Sequence, residues 1–158
     1  MMNQTDTQPI HFDPEEKFLV SACLAGKCCR YDGKANTHPM IKQWVADGRA
    51  IPVCPEQLGG LPTPRVPAEI QKQGDQIKIM TQTKQDVTLA YEKGAAATLA
   101  IARQYGCTKA VMKAKSPSCG CGMIYDGSFS HNLIPGDGIT VRLLKENGIE
   151  VITEDQLP

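Results

Sequence analysis

The 158 residues balance 17 Lys and Arg against 17 Asp and Glu, and 41% of the side chains are hydrophobic. That composition suits one globular domain with a sizeable core, and it lacks the basic excess that marks a nucleic-acid binder. No apolar run approaches the ~20 residues that cross a bilayer as a helix.

The start, MMNQTDTQPIHFDPEEK, is polar and acidic and lacks the order of a secretory signal. The cytoplasm is therefore the expected compartment, and there the seven cysteines are expected as thiols or metal ligands rather than disulfides. Residues 1–17, with Pro9 and Pro14 and no periodicity, read as a flexible lead ahead of a single domain at 18–158.

A first strand is expected at 18–22. A short helix follows in PMIKQWVADG, with Ile41, Trp44 and Val45 on one face and Gly48 at its end. The second strand is AIPV, 50–53. QLGGLPTPRVPAEI, with three prolines and two glycines, reads as irregular, and alternation around Asp75 reads as a hairpin. The clearest helix starts at a cap on Asp86 or Thr88, gathers Ala95, Ala96, Leu99 and Ala102 on one face and ends at Gly106. A third strand at 110–112, reaching toward Ala114, leads into SPSCGCG. IYDGSF adds a short extended piece, Gly138 opens a helix through Leu143 and Leu144 to Gly148, and IEVIT is the last strand. This order predicts an α/β, single-domain, layered Rossmann-like fold with a mostly parallel sheet.

Three of the strands run into Gly- and Pro-rich loops that carry cysteine. They read FLVSACLAGKCCRYDG, AIPVCPEQLGGLPTPR and AVMKAKSPSCGCG, with lead thiols Cys23, Cys54 and Cys119. The apolar runs ahead of them have the pattern of strands buried on both faces. Laid side by side and parallel, they bring all three thiols to one edge, where open α/β sheets hold their ligands.

Three convergent thiolates make a metal site one ligand short of tetrahedral. A structural zinc site takes four ligands, commonly in pairs such as C-x-x-C; the pairs here are Cys28–Cys29 and Cys119-x-Cys121. Iron–sulfur clusters take thiolates from distant loops, and with three protein ligands one iron keeps a place for a substrate atom. Glu56 and Ser116 bring a carboxylate and a hydroxyl beside Cys54 and Cys119, groups that move protons and position water. Arg30, Asp32 and Arg65 are loop charges whose ordinary use is a structural ion pair. Cys107, alone after a helix end, reads as a small buried hydrophobe.

CLAGKCCRYDG, CPEQLGGLPTPR and SPSCGCGMIYDG together resemble the three signature blocks of the thiouracil desulfidase (TudS-type) family, a similarity that runs from about residue 20 to 154. The resemblance implies a [4Fe-4S] cluster held by Cys23, Cys54 and Cys119, with Glu56 and Ser116 in catalytic roles. It implies removal of sulfur from a thiouracil-type base or nucleotide without net redox, giving the oxo-base and hydrosulfide. The expected partner is a small thiolated pyrimidine, with no membrane and with thiolated RNA the less favoured substrate. Arg65 is the candidate to bind substrate, through a phosphate.

The chemistry agrees. A thiocarbonyl sulfur is soft and prefers iron in a sulfide environment. Water positioned by Glu56 adds to the thiocarbonyl carbon, and Ser116 hydrogen-bonds the ring or the developing tetrahedral centre.

Three positions depart from the family pattern: Cys28 precedes Cys29 where a single cysteine is expected, Cys121 adds a thiol, and Ser128 stands in place of threonine. A thiolate from Cys121 on the open iron would block substrate, but a turn between Gly120 and Gly122 points it away. Two further readings stand beside the enzyme: a redox or iron–sulfur sensor without turnover, and a structural zinc protein.

Overall fold

The elements of the computed structural model, which describes residues 16–73 and 75–157, fall in an alternating order. They are β1 (Phe18–Ser21), α1 (Pro39–Ala46), β2 (Ala50–Val53), α2 (Pro55–Leu58), β3 (Ala68–Gln73), β4 (Gln76–Thr81), α3 (Thr88–Gln104), β5 (Lys109–Met112), β6 (Met123–Tyr125), β7 (Leu133–Pro135), α4 (Ile139–Glu146) and β8 (Glu150–Thr153).

Four strands form the central sheet, in the order β2-β1-β5-β8, every neighbouring pair parallel. Phe18, Leu19, Val20, Ala110, Val111 and Met112 are wholly buried, which is why these strands read as unbroken apolar runs rather than alternating ones. Successive residues serve opposite faces. Leu19, Ala110 and Met112 pack with Leu99 and Ala102 of α3 and Val141 and Leu144 of α4. Phe18, Val20 and Val111 pack with Ile41 of α1, and Trp44 meets Phe18 edge to face at 5.0 Å. The expected layered α/β architecture is the one observed. Each fully buried Leu, Ile or Val side chain contributes about 1.5–3 kcal/mol.

Several local expectations change. β1 stops at Ser21, and Ala22–Ala25 winds into a 3-10 turn closed at Gly26 (φ 101°). The stretch 57–70 is not irregular throughout: α2 takes its start and β3 its end. Pro55 supplies the first helical residue of α2, a position where its missing N–H costs nothing. On α3 the buried face is Tyr91, Gly94, Ala95, Thr98, Leu99 and Ala102, while Ala96 is exposed. One residue is about 100° of helix, so Ala96 cannot share a face centred on Ala95 and Ala102. Asp86 and Thr88 act as a pair at the helix start, Asp86 Oδ1 accepting from the Thr88 N–H at 2.9 Å and hydroxyl at 2.6 Å.

The hairpin around Asp75 forms as β3 and β4. In IYDGSF only Ile124 and Tyr125 are extended, paired antiparallel with β7, a strand the sequence patterns did not reveal. The predicted lead lies outside the described residues except for 16 and 17. Among the described residues no helix is long and apolar enough to cross a membrane.

Candidate active site

The chain lays β2 on one side of β1 and then β5 on the other, and such a reversal opens a crevice beyond the carboxyl ends of the strands. A cavity of about 570 Å³ lies there, lined by Cys23, Cys54, Cys119, Glu56, Ser116 and Arg65. All six residues singled out from sequence therefore meet in one place. The volume falls within the ~300–1,000 Å³ usual for small-molecule sites.

Each thiol sits in the connection that follows a strand of the central sheet. Cys23 lies in the turn after β1, and its carbonyl accepts the Asn36 N–H at 2.9 Å, drawing the following loop back over it. Cys54 directly follows β2 and occupies the N-cap position of α2. Cys119 sits on a turn organised by Ser116, whose Oγ accepts the N–H groups of Ser118 and Cys119, both at 3.0 Å. Those two bonds leave the Ser116 hydroxyl proton to donate. The same loop is bonded to the start of α4, through Gly138 N–H to Gly120 O at 2.7 Å and Ile139 N–H to Pro117 O at 2.8 Å. Lys115, just before the turn, holds a left-handed backbone (φ 72°), a conformation that costs a non-glycine residue about 1 kcal/mol.

Glu56 is fixed at one oxygen only. Arg65 Nη2 donates to Oε2 at 3.1 Å, with both side chains nearly buried. Oε1 is buried without a hydrogen-bond partner. Arg65 also donates to Pro62 O at 3.2 Å, Thr63 Oγ1 at 3.1 Å and Cys29 O at 3.0 Å. Its guanidinium lines the cavity while tying the Cys29 loop to Glu56. Arg30 pairs with Asp32 at 3.0 Å, the structural ion pair expected of loop charges.

The thiols of Cys54 and Cys119 are held protonated. Contact with Cys29, burial and the Glu56 charge all raise Cys54, and burial followed by Glu56 raises Cys119. Cys29 is pushed up to about 11, chiefly by its contact with Cys23. Loading such a site with metal must release protons.

Tyr91 is a cavity residue that sequence reasoning passed over, and Cys29 is one that it named without a role in the site. Adjacent thiols at 28 and 29 in a loop must diverge, and Cys28 is exposed while Cys29 is 4% exposed. Tyr91 belongs to the i, i+4, i+7 row with Ala95 and Thr98, and that spacing was the available signal. Burial, then the Glu56 charge, pushes its hydroxyl above the ordinary tyrosine value. Tyr31, Tyr125, Phe129 and His131 add an aromatic wall. Cys121 turns away, its Sγ donating to Val151 O at 3.5 Å, so the turn between the two glycines directs it as expected. Cys107 is buried in the core formed with α3 and α4.

This donor set fits a cluster better than an ion. A mononuclear site needs its donors all within about 2.0–2.3 Å of one point, and among the described residues no group of three or more His, Cys, Asp or Glu is so arranged. Cluster thiolates spread over several irons, and soft thiols at the edge of a roomy cavity suit that.

The family described as 2-thiouracil desulfurase matches residues 18–156. The chain is 45% identical over 145 residues to Uncharacterized protein YbbK of Bacillus subtilis (strain 168), covering 88% of this chain and 96% of that one. It is 44% identical to the solved structure of a [4Fe-4S]-dependent thiouracil desulfidase, TudS (DUF523Vcz), with a TM-score of 0.82 over 90% of this chain and 93% of that one.

Proposed function

Since the chain belongs to the 2-thiouracil desulfurase family, we propose that it removes sulfur from thiouracil-type pyrimidines by iron–sulfur-dependent hydrolysis without net redox. The observation that carries this reading is the Glu56 carboxylate: one oxygen held by Arg65, the other buried and unbonded, in the cavity the three thiols share.

Cys23, Cys54 and Cys119 are the residues to hold a [4Fe-4S] cluster. The bound cluster supplies a soft Lewis acid that polarises a thiocarbonyl. The protein supplies the rest. Glu56 Oε1 takes a proton from a water molecule as its oxygen adds to the thiocarbonyl carbon. The Arg65 contact keeps that carboxylate aimed. Ser116 donates its free hydroxyl proton to the substrate where negative charge develops. When the C–S bond breaks, the proton on Glu56 leaves with the sulfur. The second proton of that water goes to solvent as the carbonyl forms, so one thiouracil and one water become one uracil, one hydrosulfide and one proton, with no electrons transferred.

The substrate proposed is a small thiolated pyrimidine rather than RNA, supported by the cavity's volume and the absence of net charge. A reducing, cytoplasmic setting suits seven unpaired thiols. The test is anaerobic reconstitution followed by thiouracil in ¹⁸O-water. Equal amounts of hydrosulfide and ¹⁸O-labelled uracil are expected. A loaded cluster that releases no sulfide, or releases it without label in the base, overturns the proposal.

A further inference from the structure

Tyr91 of α3 is only 4% exposed. Its side chain packs with Ile70, Ile79 and Ile124 of β3, β4 and β6, and the same residue lines the cavity. A tyrosine so placed keeps its ring in the core and brings its hydroxyl to the polar edge. A buried tyrosine hydroxyl ordinarily finds a hydrogen-bond partner. Among the described residues this one has none.

The backbone that carries Tyr91 is fixed against the one that carries Glu56. A Cβ at Gly94 would strike the Pro55 carbonyl, and one at Gly59 would strike that of Ala90. Tyr91 follows Ala90 and Glu56 follows Pro55, so phenol and carboxylate enter one cavity from two helices in contact. Other donors on the cavity wall are engaged. Arg65 holds Glu56 and the Cys29 carbonyl, Arg30 holds Asn36 and Asp32, and Lys113 holds Glu154 and the Ala114 carbonyl.

Resting on the desulfurase reading above, we propose that Tyr91 is a substrate-binding residue whose hydroxyl donates to the carbonyl oxygen that thiouracil carries besides its thiocarbonyl. That oxygen gives up water on entering the cavity and needs a donor in its place. A neutral phenol supplies one. The contact lies away from the reacting carbon and is made both before and during the reaction. It therefore selects which thiolated base is held rather than how fast the C–S bond breaks.

Tyr91→Phe keeps the ring and removes only the hydroxyl. The experiment compares iron-loaded, oxygen-free wild type and variant on two probes, 2-thiouracil and pyrimidine-2-thione, which lacks the second carbonyl. For 2-thiouracil, kcat/KM of hydrosulfide release should fall about tenfold in the variant, with the loss in KM rather than kcat. For pyrimidine-2-thione it should not change. If that probe turns over too slowly to measure, its inhibition of 2-thiouracil turnover is read instead, and equal inhibition constants in the two proteins are expected. The Tm of the variant should match or exceed that of wild type, because the hydroxyl removed leaves no protein partner unpaired.

An unchanged kcat/KM for 2-thiouracil overturns the proposal, as does an equal loss on both probes; either leaves the desulfurase reading intact. A lowered Tm with both activities reduced marks a structural hydroxyl and overturns it too. Wild type that holds four irons yet releases no hydrosulfide from 2-thiouracil overturns the desulfurase reading, and the role of Tyr91 with it.

Discussion

At Glu56 two oxygens of one side chain are given different tasks, and the Arg65 contact separates them. Glu56→Gln keeps the size of the side chain and an oxygen for Arg65 but removes the proton acceptor. The variant should load iron as wild type does, while its hydrosulfide release falls by about 100-fold or more; near-normal turnover removes Glu56 from the mechanism. Cys107 gives a prediction away from the site. Burial pushes this thiol up to about 11, so folded, iron-free protein keeps a proton that the unfolded chain releases near the ordinary thiol value. The stabilisation is full below that value and is lost as pH rises toward about 11. The Tm of iron-free protein should fall across that window, and fall less in Cys107→Ala. Residue identity was readable at Cys23, Cys54 and Cys119 because each follows an apolar run with a defined end. Cys29 was not, since a loop cysteine beside another carries no periodicity to say which one turns inward.

Among the elements, α2 is one that the sequence patterns missed, as they missed β7, and it is the part on which Glu56 rides. Its four residues are too few to hold a helix alone; contact with α3 holds them. A Cβ at Gly94 would stand 1.9 Å from the Pro55 carbonyl oxygen, and one at Gly59 would stand 2.0 Å from that of Ala90. The two backbones touch, and no side chain fits between them. Gly94→Ala should push α2 outward, taking Cys54 and Glu56 with it. The expected cost is about 1–3 kcal/mol, read as a Tm lowered by roughly 2–4 °C per kcal/mol, together with lost hydrosulfide release. An unchanged Tm and rate would show that α2 is not seated this way. Nothing local foretold that contact: glycine in a helix and in a Pro-rich stretch signals loose structure until the partner 35 positions away (Gly59 to Gly94) is known. The long helices and the four sheet strands were legible because their patterns are internal, whereas β7 is three residues whose pairing is set by β6.

Across the whole molecule, the parallel sheet turns three distant stretches of sequence into one site. As the proposed ligands, Cys23, Cys54 and Cys119 would tie together the connections that follow β1, β2 and β5, strands that already pair, so cluster binding and folding would be linked. Iron-loaded protein should melt above the iron-free form, and a chelator should bring the two together. The claim on which everything rests is that the sheet-edge thiols hold the cluster. It is tested most directly by counting iron and sulfide per chain, without oxygen, in two double variants that each remove two cysteines. Cys54→Ala with Cys119→Ala leaves too few thiols in the cavity and should hold no cluster, while Cys107→Ala with Cys121→Ala should keep four irons. Equal iron in the two proteins contradicts the account.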